Sequence, residues 1–237
     1  KEMMREEVVG LGEMMNFPGI VGSAEETHMI TGNTLKADKV VTGHYSIPET
    51  DRGLNAYISA GVRCCHESTR AEDVLAKARL GMYAQMRMGS AWHDLPVICK
   101  AVTEKTIDTR FVCMISDDTH PSTLLTQGHL DYIIRVGIAN GIDPITAVQM
   151  VTINTATCFR MDHELGSITP GKCADILFVD DLAKFNVKRV MIDGDVVAEN
   201  GKMSIELPGY TYPEYAMHTM HVGEVITPET FKVPTGK

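Results

Sequence analysis

The stretch Phe111–Pro121, FVCMISDDTHP, runs five apolar residues into a serine, two adjacent acids, a threonine and a histidine. A short apolar run with branched and aromatic members reads as a strand buried on both faces, so the acids stand at its carboxyl end. The same arrangement recurs upstream. Candidate strands at Val8–Leu11, Val40–Thr42, Val62–Cys65 and Met82–Met86 are followed by Glu13, His44, His66 and Arg87. Helical patterns lie between them at Leu54–Ile58 and Ala71–Leu80, the latter stopped by Gly81, where a left-handed cap is favoured. Alternating strands and helices predict parallel βαβ units, whose reactive groups collect at the carboxyl ends of the strands and, in a barrel, converge over its mouth. Five strands do not close an eight-stranded barrel. Either further strands lie outside this sequence, or another chain supplies them, or the sheet is open.

Beyond this stretch, Pro121 opens a helix that carries Leu124, Leu125, Ile133, Ile134 and Val136 and ends before Gly141. Asp143-Pro144 then supplies the cap and first turn of a second helix through Val148, Met150 and Val151. The pattern next changes to Ile176–Val179 as a strand, and to Val190–Ile192 and Val196–Ala198 flanking Asp193-Gly194-Asp195, a hairpin signal. Residues 1–160 are therefore expected to form the parallel α/β part and 161–206 a small β module. Residues 207–237, Pro- and Tyr-containing, read as a connecting segment.

The 237 residues are 44% hydrophobic with a formal net charge of −9, which is ordinary globular composition. Without clustered Lys and Arg, nucleic acid and anionic membrane surfaces are excluded as partners. The apolar runs are strand-length and the start, KEMMREEVV, is charged, so neither a spanning helix nor a signal peptide is expected and the chain reads as cytoplasmic. Six scattered cysteines with no C-x-x-C spacing read as reduced core residues.

Imidazoles and carboxylates converging on one mouth suit a divalent metal such as Mn, Fe or Zn. Glu13 can bridge two ions through its two oxygens, a bridged pair acidifies water, and Asp117 can take that water's proton and pass it to a leaving group. Taken singly, each residue has a plainer reading: Glu13 as a surface acid, His44 and His66 as hydrogen-bonded loop histidines, Asp117-Asp118 as a cap for the helix at Pro121. Their recurrence at the same place in successive units favours the metal reading. His28, His129 and His163 are given no role, His218 and His221 read as exposed, and His93 and His120 stay open.

In order, LGEMMNFPG (11–19), Gly43-His44, LNAYISAGVRCCHE (54–67), Gly89-Ser90-Ala91, SDDTHP (116–121) and QGHLDYIIR (127–135) resemble bacterial adenine deaminases of the amidohydrolase superfamily. LGSITPGKCADILFVDD (165–181) resembles the place where such chains leave the barrel and complete a small β-sandwich. The resemblance implies an α/β fold, the C-terminal part of a (β/α)8 TIM-like barrel from about its fourth strand, with a small β-sandwich domain. It also implies a binuclear metal hydrolase, Mn or Fe first and Zn as a third choice, held by Glu13, His44, His66 and Asp117. A metal-activated hydroxide would attack C6 of adenine and expel ammonia, with Asp117 catalytic and Asp118, Arg87 and Tyr45 at the nucleobase. A homo-oligomer, as a dimer, is implied by analogy.

The sequence departs from this pattern in three ways. The family's His-x-His is absent, Tyr45-Ser46-Ile47 interrupts the usual run after Gly43-His44, and Met88 and Thr119 replace a glutamate and an arginine. These departures keep two alternatives open: a related hydrolase acting on another aminated purine or a cyclic amide, and a non-catalytic or partner-completed subunit.

Overall fold

In the computed structural model, which describes residues 2–223 and 225–235, the apolar runs become two sheets. The first is parallel: β1 (Gly10–Met14), β2 (Val40–Gly43), β3 (Val62–Cys65), β4 (Tyr83–Arg87) and β5 (Val112–Ile115) lie side by side in chain order. Sequential order without reversal is that of a barrel wall; a doubly wound sheet reverses its order at a switch point. β1 runs past the expected Val8–Leu11, so Glu13 lies within its strand and not after it.

Helices α1 (Phe17–Val21) and α2 (Glu25–Lys36) connect β1 to β2, α3 (Arg52–Ser59) connects β2 to β3, and α4 (Ala71–Arg79) connects β3 to β4. Short helices α5 (Leu95–Ile98) and α6 (Lys100–Thr103) precede β5. The helix expected from Pro121 through Val136 is two: α7 (Pro121–Thr126) and α8 (Leu130–Ala139). Gly128, at φ +107, breaks it, because that backbone conformation is closed to a continuing right-handed helix. Helix α9 (Pro144–Val151) starts as expected, with the Asp143 carboxylate accepting the Thr146 N–H at 3.0 Å, and α10 (Ile153–Cys158) follows.

The parallel sheet has two different faces. Ala84, Met86, Val112 and Met114 point into the main core, packed with Val74, Leu95, Ile98, Ile133, Ala147 and Met150 of the helices. Their neighbours Cys64, Tyr83 and Cys113 point to the other face and meet Cys158. Side chains alternate along a strand, so His66, Arg87 and Asp117 continue the face of Cys64, Tyr83 and Cys113 towards the carboxyl ends. A second core, of Met14, Ile20, Val41, Tyr45, Leu54, Tyr57 and Met82, fills the space beside β1 to β3. Five of the six cysteines are buried and all are free; Cys173 is exposed.

The second sheet is antiparallel, ordered β6 (Ile176–Val179), β7 (Val187–Ile192), β8 (Asp195–Glu199) and β9 (Lys202–Met203). Asp193 (φ 50) and Gly194 (φ 88) form the two-residue turn of its central hairpin, both left-handed as a type I′ turn requires. Residues Lys1–Ser204 form one compact unit and Ile205–Lys237 a second, whose described residues include two short 3-10 turns and many exposed apolar side chains, among them Tyr210, Tyr215 and Phe231. Among the described residues no helix is long and apolar enough to cross a membrane.

Candidate metal centre

At the carboxyl ends of β1 to β3, three donors meet. Glu13 Oε2 lies 3.1 Å from His44 Nδ1 and 3.3 Å from His66 Nε2. The two imidazoles face each other edge to face, centroids 5.1 Å apart at 78°. Donors that share one ion at about 2.1 Å stand about 3–3.5 Å from one another, so this trio fits a borderline divalent metal. Burial of His66 outweighs the pull of Glu13, Glu67 and Asp117 and lowers its pKa. Its ring is therefore neutral at neutral pH, with a lone pair free to ligate.

The backbone beneath these donors is fixed by buried polar groups. The Tyr57 hydroxyl donates to the Met14 carbonyl at 2.5 Å and accepts the His44 N–H at 2.9 Å, joining the ends of β1 and β2. Gly43 permits this approach: a Cβ there would stand 2.8 Å from the Tyr57 hydroxyl oxygen and 2.4 Å from Val62 Cγ1. Cys65 Sγ accepts the N–H groups of Tyr45 at 3.1 Å and Glu67 at 3.4 Å. Lys77, buried on α4, sends its ammonium to the Glu67 carbonyl, to Ser68 Oγ at 3.0 Å and to the Tyr45 carbonyl at 3.5 Å.

A second set of donors, His66, Glu67 and Asp117, also lies within 4.8 Å of one another. Glu67 Oε1 is 3.8 Å from His44 Nδ1 and 3.7 Å from His66 Nε2. Arg87, at the end of β4, donates through Nη1 to both Glu67 and Asp117, the latter at 3.1 Å, and through Nε to Asp94 at 2.9 Å. Burial opposes its charge, yet Asp94, Glu67 and Asp117 together raise its pKa and keep it protonated. Asp117 adopts φ 60, a left-handed conformation that aspartate tolerates better than most residues and that turns its carboxylate towards Arg87. The loop is clamped from β4: Ser90 N–H donates to the Asp118 carbonyl at 2.9 Å, and a Cβ on Gly89 would stand 2.5 Å from the carbonyls of Ser116 and Asp118. His129 Nε2 lies 3.0 Å from Ser116 Oγ.

The structure thus brings together Glu13, His44, His66, Arg87 and Asp117 of the residues singled out in the sequence. Asp118 is exposed beside them. Tyr45 lies elsewhere: its ring packs between Phe17 and Tyr57, 1% of it is exposed, and its hydroxyl donates to Glu49 at 2.5 Å. Glu67, Asp94 and Trp92 were not singled out. Glu67 follows His66 directly, which was its one signal in the sequence; Asp94 and Trp92 reach Arg87 from the loop after β4, which spacing alone does not reveal.

The sequence pattern of the Amidohydrolase family matches residues 1–197. An adenine deaminase of Clostridium botulinum (strain 657 / Type Ba4) is 61% identical over 234 residues, 98% of this chain and 39% of that protein. An adenine deaminase of Moorella thermoacetica is 49% identical over 232 residues, again 39% of its length. This chain therefore spans about two fifths of these curated relatives. Among solved structures, a beta-aspartyl dipeptidase of Fervidobacterium islandicum AW-1 superposes with TM-score 0.63 at 18% identity, over 85% of this chain and 59% of that one. An N-acetylglucosamine-6-phosphate deacetylase of Pasteurella multocida gives 0.56 at 17%, over 75% and 55%. At such identities these two speak for the fold alone.

Proposed function

Since this chain belongs to the amidohydrolase family, we propose that it carries the C-terminal strands of a (β/α)8 barrel, joined to part of a small β-sandwich, in a metal-dependent hydrolase that converts adenine to hypoxanthine and ammonia. The observation that carries the hydrolase reading is the Glu13–His44–His66 trio on three adjacent strand ends. The choice of adenine is supported by the 61% identity to a protein of that activity.

In this reading Glu13, His44 and His66 would hold a divalent ion, Mn or Fe in preference to Zn, and Asp117, grouped with His66 and Glu67, would supply a further donor for a binuclear site. Metal bound there would lower the pKa of water and so supply a nucleophile at neutral pH. The chain's own groups do the rest. Asp117 accepts the proton from the attacking water and returns it to the departing nitrogen, so that the new C6–O bond and the broken C6–N bond balance with release of ammonia. Asp118, exposed beside it, hydrogen-bonds a ring nitrogen of the base. The substrate is a small nucleobase, and a cytoplasmic homodimer is the accompanying expectation.

The departures at Tyr45 and Met88 lend little to another substrate, because both side chains are buried in apolar cores. The test is ammonia release from adenine by the full-length protein reconstituted with Mn or Fe. Silence on adenine at full metal loading would refute the substrate, and less than one ion per chain would refute the metal reading.

A further inference from the structure

The geometry points to Arg87 as a positioning residue, a buried guanidinium that holds Glu67 and Asp117 in fixed orientation beside the metal donors and does not itself bind the base. This rests on the hydrolase reading above. Its side chain is 4% exposed, and Trp92 covers the guanidinium, with Cζ 4.6 Å from the ring centroid. Three carboxylates from three different loops converge on it: Glu67 after β3, Asp94 before α5 and Asp117 after β5. Two carboxylates as close as Glu67 and Asp117 repel each other unless a cation stands between them. Arg87 does so through one shared nitrogen, Nη1.

The arrangement also has a direction. Asp94 takes Nε, a different nitrogen from the one shared by Glu67 and Asp117, and this second point of attachment fixes the plane of the guanidinium. Once the plane is fixed, Nη1 dictates where the two acids sit. Asp117 gives Oδ2 to Arg87, which leaves Oδ1 for proton transfer. A lysine could supply the charge but not a rigid fork that reaches three acids at set angles. Glu67 enters the site by the same means: through Arg87 its carboxylate is held under 4 Å from both histidine nitrogens.

The experiment compares R87M, R87K and D94N with wild type in the full-length protein, by adenine kinetics and by the d–d absorption of the cobalt(II)-loaded form. Misplacing a catalytic group by 1 Å costs about 100-fold in rate, so R87M and R87K should each lose about that much kcat while KM for adenine stays within about threefold. D94N should move kcat in the same direction by less. The cobalt bands should shift in R87M and R87K as the Asp117 carboxylate turns. A KM that rises with kcat intact would make Arg87 a substrate contact and overturn the proposal. Wild-type kinetics in R87K, or cobalt bands unmoved in every variant, would do the same. If wild type itself leaves adenine untouched, the substrate assignment fails, and the cobalt spectra still decide the role of Arg87. If R87M does not fold, R87K and D94N carry the comparison.

Discussion

Replacing Tyr57 with phenylalanine removes one oxygen atom from beneath the metal donors and nothing else. Tyr57 is fully buried, so no water reaches the two groups its hydroxyl serves, the Met14 carbonyl and the His44 N–H. Each hydrogen bond contributes about 1 kcal/mol net, and a buried partner left unsatisfied costs about 1–3 kcal/mol. Two such partners give an expected loss of about 2–6 kcal/mol, with no cavity contribution because the ring remains. At about 2–4 °C per kcal/mol for a domain of this size, the thermal unfolding midpoint of the unit that holds the parallel sheet should fall by at least about 4 °C. The loss should also be local. The Met14 carbonyl follows Glu13 by one residue and the N–H belongs to His44, so two of the three donors lose their common anchor. Hydrogen exchange of a peptide covering residues 40–46 should accelerate more than that of β5, and metal should dissociate faster. Unchanged melting, together with unchanged exchange at residues 40–46, would refute the claim that this hydroxyl sets the spacing of the donors.

Glu13→Gln removes a charged donor shared by both histidines and should weaken metal retention by more than the roughly 10–100-fold typical of losing an outer partner, read as metal per chain after dialysis. Asp117→Asn should lower turnover by about 10²–10⁴-fold, the range for general acid–base groups, with the fold intact because asparagine also accepts the left-handed backbone; near-normal turnover would remove Asp117 from the chemistry. Asp131 offers a pH prediction: burial alone would raise its pKa, but Arg135 and the His129 N–H overcome this and hold it below the usual carboxylate range. Its folded pKa is depressed, so its stabilisation is present above the unfolded value of about 4 and is lost as pH falls through the folded value. Melting followed from pH 5 to pH 2.5 should therefore fall less steeply in Asp131→Asn than in wild type, and equal slopes would count against the assignment.

The strand ends were legible because burial on both faces writes a mostly apolar run, and the polar residues just after it announce themselves, as at His44, His66 and Ser116-Asp117. Other parts were hidden for physical reasons. α2 escaped notice because it buries Thr27, Thr31 and Thr34, so its helical spacing is carried by hydroxyl-bearing residues and not by aliphatic ones. The break between α7 and α8 depends on one left-handed glycine inside an otherwise apolar helical pattern. Arg87 was picked out as polar at a strand end, but its partners come from three loops, and a linear pattern does not record which charges meet. Tyr45 follows His44 directly, and only the packing shows that the chain turns it away from the mouth.

Lys77 bears on the order in which the site is assembled. Its ammonium is delivered by α4, yet it satisfies oxygens in the loops after β2 and β3, next to His44 and His66. Those loops cannot reach their final shape until α4 has docked and its charge has been desolvated among them. Metal capture during refolding is then expected to wait for helix docking instead of for encounter with the ion. When refolding is started in excess cobalt(II), the visible absorption should rise with a rate that is independent of cobalt concentration; a rate that climbs with cobalt would place ion capture first.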